Sequence, residues 1–171
     1  MILNNKTVLF IDLDNTLIKT ISGKTFPEDI TDFRIQLPVL DKVTDKFPNL
    51  KYFFIVTNQG GIGNFITKDE FEIKISSICM FCSNYLRDIY CPRIITDSWE
   101  YCYSMDKTNN MRKPNTGMLE HLCAYACVEN KAECIMIGDA SGKPGDFSDS
   151  DKKCAENFGI DYIDVNDFIN L

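Results

Sequence analysis

Asp12-Leu-Asp14 places two carboxylates one residue apart at the end of an apolar run, Val8 to Ile11, with Asn15-Thr16 behind them. Thr57-Asn58 ends a second apolar run and Gly138-Asp139 a third, with Asp146, Asp149 and Asp151 close behind. Arg112-Lys113-Pro114 lies between the last two. Carboxylates that converge repel one another unless they share a hard cation, and oxygen ligands of this kind suit Mg²⁺. A lysine and a hydroxyl beside them can hold a phosphate oxygen. The residue types therefore describe a Mg²⁺-dependent site for a phosphorylated substrate.

These residues need a frame that brings them together. Val8-Leu-Phe-Ile-Asp12, Tyr52-Phe-Phe-Ile-Val56 and Cys134-Ile-Met-Ile137 read as buried strands, being short, apolar and rich in branched and aromatic residues. Arg93-Ile-Ile-Thr96 reads as a weaker strand and Tyr162-Ile163 as a short last one. Helical spacing covers Leu37 to Phe47, with Pro38 in its first turn, and Asp151 to Phe158. Asn115 is the expected cap of a helix running to about Cys127, and Val165 to Ile169 a terminal turn. Thr67-Lys-Asp-Glu70 is a capping box opening a long helix, whose Phe71, Ile75, Ile78, Cys82 and Tyr85 make one apolar stripe. Strands separated by helices predict an α/β fold, a Rossmann-like parallel sheet with helices on both faces. Ligands in such sheets bind at the carboxyl ends of the strands, where the acids above lie. Residues 17–36 read as an irregular excursion, a small flap after the first strand. Residues 97–112 are polar and belong to no evident element.

The chain has 171 residues, 44% hydrophobic and 25% charged, which suits one globular domain spanning 1–171. No run of 18 apolar residues marks a membrane helix, and the N-terminus has no signal-peptide pattern. An intracellular protein, in cytoplasm or nucleus, is expected. Eight cysteines accompany a single histidine, His121. The one Cys-x-x-Cys, Cys79 and Cys82, falls on or beside the apolar stripe, so reduced core thiols are expected rather than a zinc site. The net charge of −7 argues against a protein that coats duplex nucleic acid, but not against one that holds a strand end by a few contacts.

Asp-x-Asp-x-Thr after strand one, Thr-Asn after strand two and a lysine before a Gly-Asp strand end resemble, in that order, the haloacid dehalogenase superfamily of phosphatases. Ser22-Gly-Lys-Thr-Phe-Pro27, Asp32-Phe-Arg34, Thr57-Asn-Gln-Gly-Gly-Ile-Gly63, Arg112-Lys-Pro-x-x-Gly-Met118, Gly138-Asp-Ala-Ser-Gly-Lys143 and Asp146-Phe-Ser-Asp-Ser-Asp151 narrow it. Together they resemble the phosphatase domain of polynucleotide kinase 3′-phosphatases, over residues from about 7 to the C-terminus. No Gly-x-x-x-x-Gly-Lys-Ser/Thr phosphate loop occurs, so no kinase domain is expected. Asn15 stands where glycine is common in the superfamily; asparagine tolerates the left-handed turn. The loop after Asp139 is shorter than in animal members.

The resemblance implies two-step transfer through a phospho-aspartate that removes the 3′-phosphate of DNA ends. Asp12 would be the nucleophile and Asp14 the general acid and base. Mg²⁺ would bind Asp12, the backbone carbonyl of Asp14, and Asp139. Thr57 and Lys113 would hold phosphate oxygens; Asn58, Arg112 and the flap cations Lys24 and Arg34 would bind the substrate strand. Asp146 would orient Lys113 or a metal-bound water, and Asp151 would stand behind the metal or only cap the helix that follows. Trp99, Tyr101 and Tyr103 are expected to pack beneath a loop or stack on a base, and His121 to lie on a helix surface. Partners would be DNA 3′-phosphate ends at single strands, nicks or gaps, with a separate ligase or polymerase following; no membrane and a monomer are expected. The alternatives are a histidinol-phosphate or heptose-bisphosphate phosphatase and a non-catalytic module. The first usually carries a Cys/His-rich zinc loop, which this chain lacks; the second has no reason to keep all five motif residues.

Overall fold

The computed structural model describes residues 2–24, 27, 29–90 and 95–171. Its elements are β1 (Val8–Ile11), β2 (Ile18–Lys19), β3 (Arg34–Ile35), α1 (Leu37–Lys46), β4 (Tyr52–Asn58), α2 (Lys68–Tyr90), β5 (Ile95–Cys102), α3 (Gly117–Tyr125), β6 (Cys134–Gly138), α4 (Ser150–Phe158), β7 (Asp161–Asp164) and α5 (Val165–Ile169). Five strands form a parallel sheet in the order β5-β4-β1-β6-β7. The antiparallel pair β2-β3 forms the hairpin of the flap region.

Strand side chains alternate between two cores, as the pleat requires. Leu9, Ile11, Phe53, Ile55, Ile135 and Ile137 face α1, α2 and α5; Val8, Phe10, Phe54, Val56, Cys134 and Met136 face α3 and α4. Such double-sided burial explains why these strands read as unbroken apolar runs. The capping box of α2 forms as expected: the Thr67 amide donates to Glu70 Oε2 at 2.8 Å and the Glu70 amide to Thr67 Oγ1 at 3.2 Å. Cys79 and Cys82 are buried on α2 as free thiols. His121 lies exposed on α3 beside Glu100.

The chain runs outward from β1 to β4 and β5, then crosses back to β6 and β7. β1 is therefore the point where the winding reverses, and the crevice at its carboxyl end is where such sheets bind ligands. The register Ile11↔Ile55 and Ile11↔Ile137 sets Asp12 level with Val56 and Gly138.

Two local expectations change. The strand expected at 93–96 has Arg93 and Ile94 outside the described residues, and it continues through Ile95 to Cys102. As the sheet's edge, β5 pairs only with β4, so half-buried Ser98 and Glu100 cost little and hide its strand character. Trp99 and Tyr101 belong to this strand and pack on the core beside α2, Tyr101 with its ring 4.8 Å from that of Phe71. The helix expected from Asn115 begins at Gly117 after Thr116. The Asn115 amide is engaged elsewhere, donating to the Lys107 and Asn109 carbonyls at 2.9 Å and closing the preceding loop.

Phe10 sits on the central strand, fully buried, with rings of Phe54 and Phe158 at 5.8 and 6.4 Å. Phe10→Ala is expected to cost about 3–5 kcal/mol. Chemical denaturation should show the midpoint falling, whereas Ile21→Ser at an exposed flap position should leave it unchanged.

Candidate active site

Lys113 is the centre of the site. Its ammonium, buried, donates to Asp12 Oδ1 at 2.6 Å, to the Val56 carbonyl at 2.9 Å and to Asp151 Oδ1 at 2.7 Å. A lysine has three donors, and all three are engaged. Asn58 holds the lysine's backbone from both sides, accepting from its N–H and donating to its carbonyl, each at 3.0 Å. Asn58 was expected on the substrate strand; with both ends of its amide on Lys113, it positions the lysine instead.

Asp12 leaves β1 with its amide on the Ile137 carbonyl at 2.9 Å. Asp139 leaves β6 one residue further along. Asp151 enters from the first turn of α4, where Oδ2 also accepts from the Ala140 amide at 3.2 Å. A Cβ at Gly138 would meet that same oxygen at 2.2 Å, so the strand end must be glycine for Asp151 to reach Lys113. Oxygens of Asp12, Asp139 and Asp151 lie within 4.8 Å of one another.

Three carboxylates with one ammonium carry a formal −2, a surplus with visible effects. Burial raises the Asp12 carboxyl well above its ordinary range; Lys113 opposes this, while Asp151 and Asp139 add to it. Burial, then Asp151, pushes Asp139 up to about 6. Burial alone would lower Lys113, but the carboxylates of Asp12 and Asp151 outweigh it and hold the proton in place.

Asp14 sits on the solvent side of this group. Asn15 behind it has φ 58°, the left-handed turn that asparagine accepts. Gln59 Nε2 donates to Asp14 Oδ2 at 2.6 Å and to Thr57 Oγ1 at 2.9 Å, so one amide ties the second aspartate to the threonine. Buried Thr57 keeps its own hydroxyl hydrogen for another acceptor. Gln59 went unnoticed in the sequence, although it directly follows Thr57-Asn58 there. Lys74 did too: it is buried on α2, 5.3 Å from the Phe33 ring, and its pKa is lowered by burial against the opposing pull of Asp14 and Asp32. The signal was present, since Lys74 lies three residues after Phe71 on the apolar stripe, where a cation needs a reason.

Other expected residues fall elsewhere. Asp146 does not approach Lys113. Its Oδ2 accepts from the Ser141 hydroxyl at 2.6 Å and the Ser141 and Lys143 amides at 3.1 and 2.9 Å, folding the loop after β6. Arg112 donates from Nη1 to the Ser104 carbonyl at 2.7 Å and anchors a loop. Arg34 is exposed on the flap hairpin opposite Lys19, and Lys24 is exposed nearby. Thr25, Phe26 and Glu28 of the flap lie outside the described residues. No helix among the described residues is long and apolar enough to cross a membrane.

Known proteins resemble this chain over most of its length. The chain is 34% identical over 162 residues to the bifunctional polynucleotide phosphatase/kinase of Schizosaccharomyces pombe, covering 92% of this chain and 36% of that one. It is 28% identical over 167 residues to an uncharacterised 20.8 kDa protein of Autographa californica nuclear polyhedrosis virus, covering 94% of this chain and 84% of that one. The chain thus spans about a third of the fission-yeast relative but most of the viral one. Among solved structures, a Mesorhizobium loti protein described as a HAD-like phosphatase superposes with a TM-score of 0.65 at 18% identity, over 92% of this chain and 70% of that one. D,D-heptose 1,7-bisphosphate phosphatase from B. bronchiseptica, complexed with magnesium and phosphate, gives 0.66 at 14% identity, over 91% and 78%. These two likenesses establish a HAD-like fold. The family model for polynucleotide kinase 3 phosphatase matches residues 7–168, nearly the whole chain, and the protein belongs to that family of phosphatases.

Proposed function

We propose that this chain is a Mg²⁺-dependent polynucleotide 3′-phosphatase that restores a 3′-hydroxyl on DNA ends inside the cell. The observation that carries the reading is the convergence of Asp12, Asp139 and Asp151 on one buried lysine, with Asp14 and Thr57 bridged by Gln59 alongside. The family match supports the polynucleotide substrate.

The donor set fits a hard divalent cation. All the donors are oxygens, and the formal surplus of −2 is the charge such an ion cancels. Asp12 and Asp139 would hold it together with the Asp14 carbonyl, and Asp151 lies close enough to support it. Bound there, Mg²⁺ supplies positive charge against the phosphoryl oxygens.

The remaining chemistry belongs to the chain. Lys113 fixes Asp12 Oδ1, which leaves Oδ2 to form the bond to phosphorus. As the phosphorus–O3′ bond breaks, Asp14 gives its proton to O3′. Asp14, now a carboxylate, takes a proton from the water that attacks the aspartyl phosphate. Inorganic phosphate leaves and Asp12 is restored. The free Thr57 hydroxyl hydrogen points the threonine to a phosphoryl oxygen. Lys113 acts chiefly by holding Asp12, since a direct phosphate contact would require it to give up one of three short bonds. The flap bearing Lys24 and Arg34 would close over the strand end, and a separate polymerase or ligase would use the hydroxyl.

Phosphate release from a 3′-phosphorylated oligonucleotide, its 5′-phosphorylated twin, histidinol phosphate and heptose bisphosphate tests the substrate. Strong preference for the 3′-end is expected, lost on chelation and reduced roughly 10⁴-fold or more in Asp12→Asn, the scale seen when a nucleophile is removed. Preference for either metabolite would sink the polynucleotide reading while leaving the mechanism.

The raised Asp139 carboxyl gives a second test. Its folded-state value of about 6 exceeds the ordinary value, so without metal the folded state binds the proton more tightly than the unfolded one. Its contribution to stability therefore falls as pH rises from about 4 to 6 and then levels. Metal-free Asp139→Asn should melt higher than the parent at pH 7, by roughly 2–4 °C per kcal/mol relieved. Added Mg²⁺ should raise the melting temperature of the parent and not of the variant. Equal responses in both would remove Asp139 from the metal site.

A further inference from the structure

Phe65 is 89% exposed, yet the loop that carries it is closed. The Gln59 amide donates to the Cys102 carbonyl at 2.7 Å, Gly63 to Ile66 at 2.8 Å and Phe65 to Gly61 at 2.9 Å. Ile62 and Ile66 pair across the loop and pack onto the core, which sends residue 65 outward. Gly63 holds φ +89° to complete the turn. The phenyl ring is thus presented to solvent by a backbone that has its hydrogen bonds in place.

Beside it lies Met105, 66% exposed, from the loop after β5. Its sulfur lies over Gly60, where a Cβ would meet Sδ at 2.2 Å. Gly61, next along, carries Phe65 at its other side, with a Cβ-to-ring distance of 3.4 Å. Tyr103, 58% exposed, extends the same edge from Tyr101, ring to ring 6.4 Å. These apolar side chains form a shelf at the carboxyl ends of β4 and β5. It begins one residue from Gln59, which holds Asp14.

Place and chemistry select the occupant. The shelf adjoins Gln59, which holds Asp14 and Thr57, so a strand whose terminal phosphate sits at Asp12 brings its next nucleotides to this edge. Arg112, in the loop beside it, is bonded to the Ser104 carbonyl. Nucleobases need no cation: each has a flat apolar face that stacks on an aromatic ring whatever the sequence.

We propose that Phe65, with Met105 and Tyr103 beside it, is a stacking shelf for the unpaired nucleobases adjoining the 3′-phosphate, an inference that rests on the polynucleotide reading above.

The test compares kcat/KM on three substrates: a 3′-phosphorylated thymidine hexamer, a 3′-phosphorylated hexamer of abasic units, and p-nitrophenyl phosphate. The wild-type protein should favour the thymidine hexamer over its abasic twin at least tenfold. Phe65→Ala should lower the value on the thymidine hexamer roughly five- to hundredfold, chiefly through KM, the range that base–aromatic stacking gives. It should leave the abasic hexamer and the small ester unchanged, and Phe65→Trp should retain the preference. Equal wild-type rates on both hexamers, or a Phe65→Ala loss shared by all three substrates, would overturn the shelf alone. Phosphate released from the small ester and from neither hexamer would overturn the polynucleotide reading, and the shelf with it. A drop in oligomeric mass for Phe65→Ala in size-exclusion chromatography would assign the ring to a second copy instead.

Discussion

The ammonium of Lys113 meets two carboxylates and a strand carbonyl inside the protein, and nearly every local feature of the site serves to keep it there. Asn58 clamps its backbone from the end of β4. Gly138 clears the space through which Asp151 arrives from α4. A buried ion group of this kind is a poor source of net stability, because desolvation offsets most of the attraction. Removing the lysine, however, would leave the carboxylates without their counter-charge and cost about 3–5 kcal/mol. A fold that keeps three carboxylates around one lysine is holding a charge imbalance, which a proton or a bound cation would relieve.

The parallel sheet explains why this imbalance can be built. β1 is covered on both faces and flanked on both edges, so the backbone at Asp12 has little freedom. Strand register then sets Asp12, Thr57 and Asp139 at one edge without any direct bond among them. The winding reverses at β1, which leaves a crevice there and lets loops from β4 and β6 approach from opposite sides. The rigid part of the site comes from strand ends, while the flap and the loops surround it.

Legibility in the sequence followed the same division. β1, β4 and β6 were readable because double-sided burial forces apolar runs, and the acids that end them stood out by contrast. β5 was not, because an edge strand tolerates Ser98 and Glu100 at half-buried positions, so its pattern resembles a loop. Roles set by side-chain reach were harder. Asp146 and Asp151 stand five residues apart in one acidic stretch, where Asp146 was the candidate beside Lys113 and Asp151 could equally have capped a helix; instead the start of α4 turns Asp151 inward to Lys113, while Asp146 folds its own loop. Asn58 looked like a substrate contact because it adjoins Thr57, yet its amide is complementary to a backbone 55 residues away. Lys74 was legible in principle as a cation on an apolar stripe, and Gln59 only once its two acceptors were known.

The acidic character of the chain is compatible with the proposed action on strand ends. Binding along a duplex scales with the number of phosphates neutralised and calls for a basic surface. A terminal phosphomonoester asks for something different: local compensation at one point. With a divalent ion in place, the charges of Asp12, Asp139, Asp151 and Lys113 would sum to zero, so the group would not repel a phosphate. Specificity then depends on what surrounds that point. The flap offers Lys19, Lys24 and Arg34 on one side, and the loops after β4 and β5 offer an apolar edge on another. Under the proposed function, the net charge of −7 would discourage attachment to the body of a nucleic acid.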